Sequence, residues 1–144
     1  MTDYQKILIA VDLTENSDSV VEKAMRLTQL TGATACLLHV VEYVPVEPMG
    51  EALLPAVDIE DELVEGARRR LEEIATRHGI TESDRRVECG NIKSEMIRIA
   101  SEWQADLIVL GSRERHGLAV MLNLAEDTIL HAAPCDVLAV RVSD

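Results

Sequence analysis

Residues 106–142 read DLIVLGSRERHGLAVMLNLAEDTILHAAPCDVLAVRV. An apolar strand that breaks at Gly111, a turn carrying Gly111 and Gly117, and a helix after it are the parts of a phosphate cradle. Glycine lets backbone N–H groups approach the anion, and the helix N-terminus supplies a favourable field. Ser112 offers a hydroxyl donor, and Arg113 and Arg115 offer positive charge. Glu114 opposes this chemistry by placing a carboxylate in the middle of the turn. At roughly 4 Å from a phosphate charge it costs on the order of 4 kcal/mol at an effective dielectric of about 20. That is about a thousandfold in affinity, and less where solvent screens the pair.

Asp12 ends the apolar run KILIAV (6–11) and is the second candidate. Either it positions a ribose hydroxyl, or it accepts a hydrogen bond from the start of the next helix. Gly111 either admits a phosphate or makes a tight strand-to-helix turn. Ser112 is a phosphate donor or a turn serine, and His116 meets an anion or is solvated. His39 lies on a strand as a satisfied core residue. His78 and His131 fall near helix C-termini, where a cation is favoured. No histidine pair has metal-ligand spacing, and spacing nominates no acid–base dyad or catalytic residue. The P-loop, the dinucleotide-binding glycine pattern and the nucleophile elbow are missing from the sequence.

The elements that hold these residues follow from composition and period. The 144 residues suit one domain, 1–144, and with 47% apolar content they can bury one core. Phe is absent, so the core is built from Ile, Leu, Val, Ala and Met. A net charge of −12 argues against nucleic acid and against an anionic membrane surface. The N-terminal apolar run is far too short to span a bilayer or to serve as a leader. Cys36, Cys89 and Cys135 are few and far apart, so buried reduced thiols and a cytoplasmic location are expected.

Strand-like runs at 6–11, 33–42, 85–90, 106–111 and 136–142 alternate with helical periodicity carried by Val20, Val21, Ala24, Leu27 and Leu30 and then at 58–78, 92–103 and 117–131. Asn16 or Ser17 is the expected cap of the first helix, and Gly32 its stop. Residues 44–57, with three prolines and a glycine, read as an irregular connection. Pairs Glu65/Arg69, Arg68/Glu72 and Arg69/Glu73 are expected along a solvated helix face. Trp103 is an expected core anchor with its N–H near the rim. Strict alternation implies right-handed crossovers and a Rossmann-like, open five-stranded parallel sheet flanked by four helices. The two most apolar strands, 6–11 and 106–110, should be central neighbours, with Asp12 and Gly111 facing each other across the crevice between them.

The segments ILIAVDLTENS, LLHVVE, ADLIVLGSRERHGL and APCDVLAVRV, in this order, resemble the universal stress proteins of the UspA type over essentially the whole chain. The resemblance implies a homodimer, formed through the last strand and so through Val137, Leu138, Ala139, Val140, Arg141 and Val142. Nucleotide-binding members resemble Gly-x-x-Gly, a nine-residue spacer, then Gly-Ser or Gly-Thr. Here Gly111 matches the first glycine, and Glu114 replaces the second. Asn123–Leu124 replaces the Gly-Ser pair, with the spacer one residue short. Asp12 matches an acidic nucleoside contact, and Val40 or Val41 the backbone that meets adenine. The resemblance therefore implies a degenerate nucleotide site with weak or absent ATP binding. The expected role is a stress-response or regulatory binding module with an unidentified protein partner, no required cofactor and no metal. An ATP- or AMP-binding sensor, and a slow ATPase or autophosphorylating protein, are the alternatives.

Overall fold

A computed structural model of the chain describes residues 4–42, 53–81, 84–113 and 132–142, with backbone alone over 53–59 and at 113. Its strands are β1 (Lys6–Ala10), β2 (Thr34–Val41), β3 (Arg85–Cys89), β4 (Leu107–Arg113) and β5 (Asp136–Val142). They form one sheet in the order β3-β2-β1-β4-β5, and every neighbouring pair is parallel. The helices are α1 (Ser17–Thr31), α2 (Leu53–Arg77) and α3 (Ile92–Trp103). The fourth expected helix, 117–131, lies outside the described residues.

β1 is an apolar run because both of its faces are covered. Ile7 and Ile9 pack with α1 and α2, through residues such as Val21 and Leu71. Leu8 and Ala10 pack with α3, through Ile99 and Ala100. Ile7, Leu8 and Ile9 are fully buried, and each such side chain contributes about 1.5–3 kcal/mol through removal from water. The more polar β3 is an edge strand with all five residues half-buried, as its composition implies. β5 forms the other edge.

Several boundaries differ from the sequence reading. α2 begins at Leu53, inside the stretch expected to be irregular. Pro55 falls in its first turn, where backbone N–H groups have no intrahelical acceptor and proline is tolerated. Asn16 occupies the N-cap position of α1 without a side-chain capping bond. α1 stops as expected, with Gly32 at φ 74° and its N–H on the Thr28 carbonyl. Asn91 caps α3 by accepting the Ser94 N–H at 3.0 Å. The four-apart pairs on α2 are not made; Arg68 instead approaches Glu65, three residues earlier, at 4.0 Å.

The N-terminal ends of the central strands are clamped by polar groups. Asp106 accepts the N–H groups of Gln5 at 2.8 Å and Lys6 at 3.0 Å. The Lys6 ammonium sits 5.3 Å from the centre of the Trp103 ring and donates to the Trp103 carbonyl. Trp103 is half-buried against the α3-side core. The three cysteines are free thiols. Only Cys36 is fully buried, which pushes its thiol up to about 11. Cys89 donates to Glu60 at 3.3 Å. Among the described residues no helix is long and apolar enough to cross a membrane.

α1 and α2 are tied by Asp18, which accepts from Arg77 at 2.9 Å and lies 2.8 Å from His78 Nε2. The Arg77 hydrogen bond holds the Asp18 carboxyl below its ordinary range, against an opposing burial effect and with help from His78. A depressed carboxylate pKa stabilises the fold above the unfolded-state value, and that contribution disappears as pH falls through the folded value. The pair is half-exposed, so Asp18→Asn should lose under about 1 kcal/mol at neutral pH. Urea unfolding should show this difference shrinking below pH about 4. An equal difference at pH 7 and pH 3 would count against the ion pair as its source.

Candidate functional site

From β1 the chain winds outward through β2 to β3, with α1 and α2 on one face. It then returns through α3 on the other face to place β4 beside β1. The direction reverses between β1 and β4, which makes their C-terminal ends a topological switch point, the place where open α/β sheets form a ligand crevice.

The strand registers relate the described candidate residues to this switch point. β1 pairs with β2 up to Ala10↔Leu38 and with β4 up to Ile9↔Val109. Continued two places along the first ladder and three along the second, these registers bring Val40, Asp12 and Ser112 level on three adjacent strands. Gly111 is level with Val11, one residue short of the expected partner. The Leu38 carbonyl accepts from Val11 N–H at 2.9 Å, and the Val41 carbonyl accepts from Gly90 N–H at 3.0 Å. Backbone groups of alternate residues face the same side in a strand. Val40 therefore presents its N–H and C=O toward the β1 side, and Val41 toward β3. Of the two valines, only Val40 aims its backbone at the crevice. Its side chain is buried among the α3-side core residues.

Asp12 is exposed, and its Oδ1 accepts from the Thr14 N–H at 3.1 Å, the Thr14 hydroxyl at 2.7 Å and the Ser17 hydroxyl at 3.2 Å. The helix-start reading of Asp12 is thus realised, and Asp12 rather than Asn16 ties the loop to α1. Leu13, next to it, has φ 62°, a left-handed conformation that costs a branched residue about 1–2 kcal/mol. Two contacts hold the turn: Arg70 of α2 donates to the Leu13 carbonyl, and Leu13 itself is buried. His39 Nδ1 lies 2.7 Å from the Val11 carbonyl. A carbonyl only accepts, so the proton is on Nδ1. Burial lowers the His39 pKa despite that bond, and the ring is neutral at physiological pH.

β4 does not break at Gly111. Gly111, Ser112 and Arg113 continue the ladder, opposite Val140, Arg141 and Val142. Gly111 is not in the left-handed region, so a tight turn is not why it is glycine. A Cβ built there would stand 3.2 Å from Val20 Cγ2 and 3.8 Å from Val142 Cγ1. Glycine lets α1 lie close on β4. Ser112 is accordingly a strand residue, not a turn serine. The remaining candidates Glu114, Gly117, Asn123 and Leu124, together with Arg115, His116 and His131, lie outside the described residues. Sequence reasoning missed Arg70, which it read as part of a solvated basic run, and Leu13, whose residue type carries no signal of a left-handed turn. Among the described residues no group of three or more His, Cys, Asp or Glu could hold a metal ion.

A doubly wound parallel sheet with its switch point between β1 and β4 defines a Rossmann-like class of α/β proteins. A family model described as the universal stress protein family matches residues 3–141. The chain is 39% identical over 143 residues to universal stress protein A homolog 2 of Coxiella burnetii, covering 99% of this chain and 98% of that protein. It belongs to the universal stress protein family. Among solved structures, universal stress protein UspA from Lactobacillus plantarum superposes with a TM-score of 0.80 at 21% identity, over 98% of this chain and 100% of that one. A universal stress protein in complex with cAMP superposes with a TM-score of 0.62 at 19% identity, over 96% and 98%.

If Gly111 is set by packing, Gly111→Ala should destabilise the fold by about 1–3 kcal/mol through overpacking. In a Val20→Ala background the same change should cost well under half as much, a coupling that a double-mutant cycle in urea reads directly. Equal costs in both backgrounds would show that Val20 is not what excludes a side chain.

Proposed function

We propose that this universal stress protein is a single-domain, homodimeric stress-response module of the cytosol whose crevice takes the nucleoside part of an adenine nucleotide and holds its phosphates poorly. What supports this reading is the switch point between β1 and β4, where Asp12 follows β1 and where the registers, if continued, would set it level with Val40 and Ser112. Val40 offers a backbone donor and acceptor suited to an adenine edge. Asp12 offers a carboxylate at the height where a ribose hydroxyl would lie. A carboxylate accepts from hydroxyls and repels phosphate, so the described half of the crevice suits a nucleoside. The sequence of the other half, with Glu114, Asn123 and Leu124, lacks the glycines and hydroxyl of a triphosphate cradle. The fold neighbour solved with cAMP supports a monophosphate as ligand class, by analogy of fold alone.

Calorimetry across AMP, ADP and ATP tests the reading. Adenosine or AMP should bind better than ATP; affinity that rises with phosphate count would contradict it. Glu114→Gly combined with Asn123→Gly and Leu124→Ser should improve ATP binding by roughly one to three powers of ten, with most of the gain from Glu114→Gly. A triple variant no better than the parent would show that the loop is not a damaged cradle.

The edge position of β5 supports assembly by antiparallel pairing of Val137–Val142 with its copy. The side chains of Val140 and Val142 are committed to this chain's own core. Contact with the copy would therefore run through the edge backbone and the exposed Leu138, Ala139 and Arg141. Ala139→Pro removes an edge donor while sparing both buried valines, and should give a folded monomer by light scattering and circular dichroism. An unchanged dimer would rule this interface out.

A further inference from the structure

The turn that carries Asp12 is held from a distant helix. On the basis of the nucleoside reading above, we infer that Arg70 of α2 is a positioning residue for the nucleoside site. By holding the Leu13 carbonyl it fixes the left-handed turn that sets the Asp12 carboxylate where a ribose hydroxyl would meet it.

The need for such a holder starts at residue 13. A glycine takes a positive φ freely, whereas the Cβ of a leucine disfavours it. Leu13 nevertheless stands at φ 62°. Its side chain is buried in the cluster that contains Ala67, Leu71 and Ile74 of α2. Burial anchors that side chain, and the carbonyl beside it still requires a polar partner. Position 70 is spaced three from Ala67 and four from Ile74, so it borders the same buried stripe of α2. A long side chain there can lay its stem along the stripe and keep its charged end at the rim. Arg70 is an exposed residue, and its guanidinium donates to the Leu13 carbonyl. A charged donor makes this bond stronger than a neutral one would be.

The other bonds of the turn do not replace it. Thr14 and Ser17 donate to Asp12 Oδ1, which fixes the carboxylate relative to residues that follow Leu13. His39 lies 2.7 Å from the Val11 carbonyl, which fixes the residue before Asp12. Leu13 joins these two held segments, so its conformation sets where the carboxylate stands relative to β1 and Val40. The charges of Asp12 and Arg70 both reach the His39 ring, with opposite effects on its protonation, which gathers the three groups at the end of β2.

An arginine could also act on a nucleotide by touching its phosphate. Adenosine and AMP separate the two roles, because only AMP carries a phosphate. With the full-length protein, Arg70→Gln should weaken adenosine and AMP alike, by about tenfold. Arg70→Lys keeps a cationic donor and should recover most of that loss. In an Asp12→Asn background, Arg70→Gln should weaken binding by no more than about twofold further, since residues that act as one unit are not additive. Arg98→Gln is the control. Arg98 belongs to α3 and is held by Glu88, Glu95 and Glu102, so both affinities should stay at the parent value. Without ligand, Arg70→Gln should shift the amide resonances of Asp12, Leu13 and Thr14 while keeping the parent far-UV spectrum. A loss for AMP alone would show Arg70 on the phosphate and overturn the positioning role. Unchanged affinities, or full additivity with Asp12→Asn, would overturn it too. A parent that binds neither ligand would sink the nucleoside reading and the ligand half of this inference together. Unmoved resonances at residues 12–14 would overturn the hold on the turn by themselves, whatever the parent binds.

Discussion

The structure depends on the complete consumption of β1. Its two edges are paired, with β2 on one side and β4 on the other. Its faces are covered by α1 and α2 on one side and α3 on the other. A strand used in this way can present chemistry only at its ends. The N-terminal end is closed by Asp106, which accepts from Gln5 and Lys6. That leaves Val11, Asp12 and Leu13 at the C-terminal end, where the chain must leave the sheet beside a strand it will rejoin only later.

What happens at that end is a matter of satisfying polar groups in a confined space. The Val11 carbonyl is taken by His39, the Asp12 carboxylate by Thr14 and Ser17, and the Leu13 carbonyl by Arg70. These bonds come from β2, α1 and α2, so three elements fix one short turn. The left-handed Leu13 is tolerated because the surroundings over-determine it. The consequence is a pre-set crevice wall whose one acidic group is fixed in place, and a ligand would meet it without an ordering cost.

The topology was legible in the sequence because it rests on long apolar periods. The central pairing of β1 with β4, the polar edge at β3 and the stop at Gly32 all follow from residue type. What was not legible rests on tertiary contact. Gly111 looked like a turn glycine, but it is a strand glycine whose missing Cβ makes room for Val20. Asn16 looked like a cap, but Asp12 reaches the helix start from the preceding loop. Pro55 looked like a helix breaker, yet in a first turn it breaks nothing. In each case local propensity named the right residue, and packing gave it a different task.

The run Arg68-Arg69-Arg70 shows the same limit in charge patterning. Consecutive residues on a helix point about 100° apart, so three adjacent arginines do not make one basic patch. Arg70 turns toward β1 and holds the Leu13 carbonyl at the crevice wall. Arg68 and Arg69 border the space between α2 and β3. The helix thereby divides its charge between two places that the linear sequence runs together.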